Sequence, residues 1–371
     1  MRELVQRFRR LTSGGAFIPE LDGLRFVAIA SVIAHHLFGE LQRYSGVKVS
    51  PLLALAMRNG NRGVPLFFGI SGFILAKPFA AYWMQLGQKV DLKRYFLRRL
   101  TRLEPPYVLN LLISFALLVL VNHVAARELL PHLAASLCYS HNLIYGTLSQ
   151  VNPVAWSLEI EVEFYVLVPL LTWIFAVGNP VQRRGLIFSA MLVLSFAHLH
   201  WPAGQRLNLS ILSYIQFFLA GFLLADLYLT EKKDSKYWLW DLVSLLGWPA
   251  VFLVQGVAQV LLPFLILALY WAAFHGPMSN RVFRFAPVAI IGGMCYSIYL
   301  FHFEVIALIS RLLGHHANPI LMTCSSLVMI LLGCGLYFLF LEKPCMDKDW
   351  PAKLHKRLIA QPRTASSATS S

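Results

Sequence analysis

Residues 20–36 read ELDGLRFVAIASVIAHH: an acidic entry, then an apolar run interrupted once by Arg25 and closed by the pair His35–His36. The run reaches about residue 40, and at about 1.5 Å per helical residue its length matches the roughly 30 Å hydrocarbon core of a bilayer. Outward from this stretch, apolar runs of spanning length recur near 62–83, 105–122, 154–177, 184–201, 208–229, 238–255, 258–275, 286–310 and 318–341. The weakest division is within 238–275, where two runs are separated only near Gln255–Gly256. Of the 371 residues, 57% are hydrophobic and 13% charged, with a mean hydropathy of +0.61. That charged share is about half of what a soluble domain carries, which excludes a soluble enzyme and a disordered chain. The expectation is an all-α polytopic integral membrane protein with about ten transmembrane helices and no space for a large soluble domain.

Lys and Arg number 32 against 18 Asp and Glu, a net charge of +14. The basic residues sit in short clusters between apolar blocks, so they read as membrane orientation and not as a nucleic-acid surface. With the N-terminus inside and ten spans, 23 of the 32 fall on the cytoplasmic side and 7 outside, while Arg25 and Lys77 lie within spans. Both termini are therefore expected in the cytoplasm. The division is a cytoplasmic N-terminus (1–20), a ten-helix domain (21–341) and a cytoplasmic tail (342–371) whose PRTASSATSS ending is polar and expected to be partly disordered. No apolar segment precedes the first run, so that run is expected to act as an uncleaved signal. The long outer segment 123–153 contains LLPHLAASLCYSHNLIYG, an interfacial or re-entrant piece. Five cysteines with no CxxC spacing give no disulfide framework and no zinc site, and no metal is expected.

Charged and polar groups inside spans are costly and are the first candidates for function. Arg25 and His36 are eleven residues apart, about 20° beyond three full turns, so they share a helix face about 16 Å apart along the axis. His35 points elsewhere. Arg25 is suited either to pairing with Asp22 or lipid phosphate, or to holding a phosphorylated substrate; His36, near midplane, is suited to a helix-packing hydrogen bond or to taking a proton. The run WSLEIEVEFY (156–165) puts Glu159 and Glu163 on one face and Glu161 roughly opposite. Arg98, Arg99 and Arg102, before Pro105–Pro106, serve as a positive-inside signal or as a phosphate clamp. Gly63, Gly69, Ser71 and Gly72 indicate close helix packing, and His302 is a second midplane imidazole.

These segments, in order, resemble the membrane-bound acyltransferase-3 family: ELDGLRFVAIASVIAHH with an Arg and a His separated by ten intervening residues, GVPLFFGISGFIL, RRLTRLEPPY, WSLEIEVEFY, YSIYLFH and LEKP, covering about residues 18–345. The resemblance implies a ten-helix enzyme of a bacterial-type cytoplasmic (inner) membrane. It moves an acyl group, usually acetyl from acetyl-CoA, to a hydroxyl of an extracytoplasmic or membrane-assembled glycan, or of a natural product in some relatives. It implies His36 as the catalytic histidine, either general base or acyl-accepting nucleophile, with Arg25 as its first-helix partner and Glu161 as the first Glu of the WSLxxE element. Val162 stands where a second Glu is common, leaving Glu159 and Glu163 as nearby stand-ins, and Cys295 stands where Ser is usual. Acetyl-CoA is cytoplasmic, so Arg98, Arg99, Arg102 and Arg25 are the expected donor ligands. Ser71, Trp156, Tyr165, Tyr296 and His302 are candidates for the acceptor site or its support. The chain ends soon after the tenth run, so transfer is expected without a fused extracytoplasmic domain, unaided or with separate glycan-assembly proteins. A competing class is a proton-coupled transporter or exporter of a glycan or small molecule, but the two halves carry no matching internal repeat. A membrane scaffold without catalysis leaves the intramembrane charges without a role.

Overall fold

The computed structural model describes residues 8, 10–11, 17–200, 204–231, 236–314, 318–347 and 349–353. Most of the N-terminal segment and the polar tail after residue 353 lie outside the described residues. Among the described residues every regular element is helical. The principal helices are α1 (Pro19–Ser45), α2 (Pro51–Arg58), α3 (Gly63–Trp83), α4 (Leu92–Leu120), α5 (Ala126–Leu137), α6 (His141–Tyr145) and α7 (Trp156–Leu171). They are followed by α8 (Pro180–His200), α9 (Ile215–Thr230), α10 (Leu239–Leu253), α11 (Leu262–His275), α12 (Ala286–Gly293), α13 (Cys295–Leu313) and α14 (Pro319–Tyr337). Six helical stretches among the described residues are long and apolar enough to cross a membrane, and α9 and α10 are shorter apolar helices. The protein is a polytopic membrane protein.

Each of the ten expected runs coincides with helix, but the boundaries differ in informative ways. The basic segment expected as a loop before residue 105 belongs to α4, which starts at Leu92 because the Asp91 carboxylate accepts the Arg94 N–H at 3.1 Å. Arg98, Arg99 and Arg102 are thereby fixed on the first turns of a helix that continues through Pro105–Pro106. The ninth run, expected to be continuous, is divided at Met294 into α12 and α13. A Cβ on Gly292 would lie 1.7 Å from the Asp22 carbonyl oxygen, so glycine there lets α12 lie directly on the backbone of α1. The break expected near Gln255–Gly256 is present, with Gly256 at φ +60°, a left-handed conformation suited to glycine.

α1 is laid down by local rules. Pro19 opens it, Glu20 and Asp22 sit at its positive end, Arg43 lies in its last turn, and Gly46 at φ +60° ends it. The core forms around α1, α3 and α9. A Cβ on Gly72 would lie 2.2 Å from the Phe218 carbonyl oxygen, and one on Gly221 would meet Gly69 and Phe73 backbone at 2.3 Å. The small residues thus bring α3 and α9 backbone to backbone, as in other membrane helix pairs. That contact takes up the glycines and leaves Ser71 on a different side of α3, facing α7.

Candidate active site

A cavity of about 300 Å³ opens between α1, α3, α4, α7 and α13. Its lining includes the basic Arg25, Arg98, Arg99 and Arg102 together with Ser71, Glu161, Tyr165, Tyr296 and Tyr299. Residues from five separate segments, the matches to the sequence elements above, therefore converge on one space. Another cavity, of about 540 Å³ against α1 and α14, is lined by apolar side chains apart from Thr323 and offers little to a polar substrate.

The arginines differ in how they are held. Arg25 is buried and ion-paired to Asp22, so both sequence readings of its position meet in one side chain: it pairs with Asp22 and it faces the cavity. Arg99 lies over the Tyr95 ring with its guanidinium carbon 3.6 Å from the centroid, and donates to the Tyr95 carbonyl at 2.8 Å. Among the described residues, Arg98, Arg99 and Arg102 form no ion pair with a carboxylate. Their positive charge is therefore presented to the cavity and not consumed by the fold.

The three glutamates of α7 separate as the helical periodicity requires. Glu161 reaches into the cavity and accepts a hydrogen bond from Ser71 Oγ at 2.6 Å. Glu159 accepts the Asn142 N–H at 2.7 Å and Glu163 the Ile211 N–H at 2.9 Å. These two tie α7 to neighbouring segments and do not stand in for a second site carboxylate. The α7 start is also fixed by Tyr299, whose hydroxyl donates to the Val154 carbonyl at 2.8 Å and accepts from Ser157 Oγ at 2.7 Å. Trp156 does not line the cavity; its ring packs 5.5 Å from that of Tyr214.

His36 and His302 also lie outside the cavity lining, just past Tyr299. His302 Nε2 is 3.0 Å from His36 Nδ1, and His302 Nδ1 is 2.8 Å from the Tyr299 carbonyl and 3.1 Å from that of Ile298. Carbonyls only accept, so the hydrogen-bond network assigns the proton on His302 to Nδ1. With both rings neutral, His302 Nε2 then accepts from His36 Nδ1–H, and the lone pair of His36 is left on Nε2. The Phe303 ring, 5.3 Å from His36 and edge-on to it, braces the imidazole. His35 lies edge-on to the His36 ring, 5.1 Å between centroids, and contacts the Met57 carbonyl at 3.3 Å. Sequence reading named both imidazoles but not their contact, because 266 residues separate them.

Arg10 is a cavity residue that sequence reading missed. It bonds to Asp22 at 3.4 Å, and burial, with Arg102 and Arg25 adding to it, pulls its guanidinium down to about 9. In the sequence it is one of the basic residues ahead of the first run, where membrane orientation is a sufficient account. Among the described residues no group of three or more His, Cys, Asp or Glu side chains is placed to hold a metal ion.

The arrangement sets a cavity with an arginine-rich lining beside an imidazole that keeps an available lone pair. The acyltransferase domain of the acyltransferase-3 family matches residues 18–339, and the chain belongs to that family. It is 24% identical over 368 residues to the O-acetyltransferase OatA of Staphylococcus aureus, covering 91% of this chain and 58% of the relative. To the peptidoglycan O-acetyltransferase OatA of Listeria monocytogenes it is 24% identical over 364 residues, covering 88% of this chain and 56% of the relative. The chain thus spans less than three fifths of the length of these curated relatives. No solved structure matches it.

Proposed function

We propose that the protein is a membrane O-acetyltransferase that takes acetyl from cytoplasmic acetyl-CoA and places it on a hydroxyl of an extracytoplasmic or membrane-assembled glycan. The observation that carries this reading is the junction of the arginine-lined cavity with the His36–His302 pair, the two ends being joined by Tyr299. Phosphates of the donor bind Arg25, Arg98, Arg99 and Arg102, whose forked donors suit phosphate oxygens. The pantetheine arm runs past Ser71 and Glu161, which offer hydrogen-bond partners to its amides, and the thioester reaches His36.

His36 Nε2 takes the proton of the acceptor hydroxyl as its oxygen attacks the thioester carbonyl. The C–O bond forms, the C–S bond breaks, and the imidazolium returns the proton to the departing CoA thiolate. The same lone pair is available for the two-step course, in which Nε2 attacks first and an acetyl-imidazole passes the group on. His302 serves either course by holding the His36 tautomer, as a second group does for many catalytic histidines. The peptidoglycan acceptor named for the Listeria relative makes a cell-wall glycan the first acceptor to test. Both termini lie in the cytoplasm in this reading, which sets the basic mouth on the side where acetyl-CoA is found.

The test is radiolabelled acetyl-CoA with detergent-purified protein and glycan fragments, followed for acetyl ester and free thiol in equal amounts. Transfer or slow hydrolysis by the wild type and neither by His36→Ala is expected. No turnover of acetyl-CoA by well-folded wild-type protein, with or without acceptor, overturns the reading.

A further inference from the structure

Arg10 lies before the segment that matches the acyltransferase domain, yet its side chain enters the same cavity as Arg25 and Arg102. It is brought there by the shape of the bundle. A Cβ on Gly293 would stand 3.6 Å from Arg10 Cβ, so the chain passes closely over the end of α12. Two residues earlier, the Phe8 ring lies against Gly335 of α14 and packs on the core. Phe8 and Arg10, both ahead of the first membrane helix, thus pack on the bundle.

The hydrogen bonds around Arg10 are incomplete. Arg10 Nε and Arg102 Nε are both shut from solvent, and among the described residues neither has a partner. Buried N–H donors are rarely left unbonded, and those of a guanidinium least of all. The nearby carboxylates are already engaged: Asp22 is bonded to Arg10 and Arg25, and Glu342 accepts the Ser297 N–H at 3.0 Å and the Ser297 hydroxyl. Two unfilled donors among crowded cations match an oxyanion with several acceptor oxygens. The depressed guanidinium of Arg10 agrees with cations gathered closely and short of anions.

We propose that Arg10 and Arg102 form a phosphate subsite of the donor pocket, so that a residue ahead of α1 supplies one of the donor's ligands. The inference rests on the reading of the donor as acetyl-CoA. Asp22 holds Arg10 and Arg25 in place, and a donor phosphate seated between Arg10 and Arg102 takes up the Nε–H groups. Arg10 is then a specificity residue: it rewards a thioester that carries the phosphorylated nucleotide and gives nothing to a bare pantetheine thioester.

The test compares wild type, Arg10→Gln and Arg10→Lys as full-length, detergent-purified proteins, with equilibrium binding of CoA and steady-state kinetics using acetyl-CoA and S-acetyl-pantetheine. Loss of a charge-assisted phosphate contact is expected to weaken CoA binding of Arg10→Gln by about tenfold or more. The loss should fall in KM for acetyl-CoA more than in kcat and vanish with S-acetyl-pantetheine. Arg10→Lys should retain part of the affinity, because it keeps the charge and loses the fork. Binding of 3′-dephospho-CoA assigns the phosphate: a penalty that persists places the diphosphate at Arg10, and one that disappears places the 3′-phosphate there. Arg10→Gln that binds CoA as wild type does, or that loses as much with S-acetyl-pantetheine, overturns the subsite while leaving the donor reading intact. Wild type that binds no CoA overturns the donor reading and the subsite with it.

Discussion

His302 Nε2 lies 3.0 Å from His36 Nδ1, and His302 is itself oriented by the carbonyl of Tyr299, a residue whose ring lines the arginine-rich cavity. The pair therefore links the arginine-lined space to the His36 nitrogen that keeps its lone pair. It also defines unequal roles, since only His36 has a nitrogen left with a lone pair.

From that inequality, His36→Ala should abolish transfer with insertion intact. His302→Ala should lower kcat by about tenfold to a hundredfold with little change in either KM, because the base remains but its tautomer and orientation are no longer held. His302→Gln should recover part of the loss, since a side-chain carbonyl still accepts from His36 Nδ1–H. His35→Ala should be milder, because His35 meets the Met57 carbonyl and the edge of the His36 ring but takes no part in the His36–His302 hydrogen bond. Steady-state kinetics on the four purified variants is the measurement, and a His35 variant as impaired as the His36 variant would refute the assignment.

Helical arithmetic on α1 was enough to set Arg25 and His36 on one face, and on α7 to send Glu161 away from Glu159 and Glu163. Such relations lie within a single helix and follow from its period. The His36–His302 contact and the Ser71–Glu161 bond cross between helices, and depend on which faces meet. Arg10 was illegible for another reason. A basic residue ahead of a first membrane helix satisfies the positive-inside rule wherever its side chain goes, so its burial at Asp22 is settled only by the packing of Phe8 and Gly293. The division of the ninth run at Met294 was hidden in the same way, because Gly292 gains its meaning from the Asp22 carbonyl it approaches.

The helix contacts formed by glycine predict a graded series. A Cβ at Gly72 or Gly292 has no space, at 2.2 Å from the Phe218 carbonyl and 1.7 Å from the Asp22 carbonyl, and both obstacles are backbone. Gly72→Ala and Gly292→Ala should each destabilise by about 1–3 kcal/mol or more, as overpacking does. Gly39→Ala, with no atom within 4 Å of the new carbon, should be neutral or slightly stabilising. Thermal unfolding in one detergent, read by loss of the monodisperse chromatographic peak, ranks the three; equal midpoints would show that α3 and α12 do not make these close approaches.

The segment between α4 and α7 carries a pH-sensitive contact. His132 Nδ1 is 2.8 Å from His141 Nε2, the Tyr145 ring packs at a tilt against both imidazoles, and His141 Nδ1 meets the Thr147 carbonyl at 3.2 Å. Burial, followed by the charge of His132, holds His141 below its ordinary value of 6.5, against an opposing pull from the Thr147 bond. The neighbouring carboxylate, Glu159, is directed at the Asn142 N–H. A histidine with a lowered native pKa binds fewer protons folded than unfolded, so the stability it confers is present above about 6.5 and declines as pH falls below it. The protection of residues 126–147 against hydrogen exchange, taken relative to the intrinsic rate at each pH, should therefore fall as pH is lowered from 7.5 to 5.5, and His132→Gln should reduce that dependence. A flat pH profile in the wild type would contradict the coupling.

The orientation drawn from charge is tested by reporter fusions. Alkaline phosphatase should be inactive when joined after residue 371 and active when inserted after Tyr145, because 23 basic residues lie on the side assigned to the cytoplasm and 7 on the other. The opposite pattern would place the arginine-lined mouth outside the cell, away from cytoplasmic acyl-CoA.

Arg25 distinguishes a donor ligand from a helix anchor. It is buried, paired with Asp22, and still faces the cavity beside Arg102. If its role is to hold donor phosphate, Arg25→Lys keeps the charge, loses bidentate bonding, and raises KM for acetyl-CoA more than KM for the acceptor. Arg25→Ala should do so more severely and lower kcat as well, since a displaced thioester no longer meets His36. If Arg25 only secures α1 through Asp22, the same variants lower the folded yield and leave donor KM unchanged in the protein that survives. Asp22→Asn separates these outcomes further: it removes the partner carboxylate while leaving the guanidinium, so an anchor role predicts the same instability as Arg25→Ala, whereas a donor role predicts a smaller loss of acetyl-CoA affinity than Arg25→Ala in the folded fraction. Kinetics with the folded fraction measured separately decides the matter, and an unchanged donor KM in well-folded Arg25→Lys and Arg25→Ala rules out the donor role.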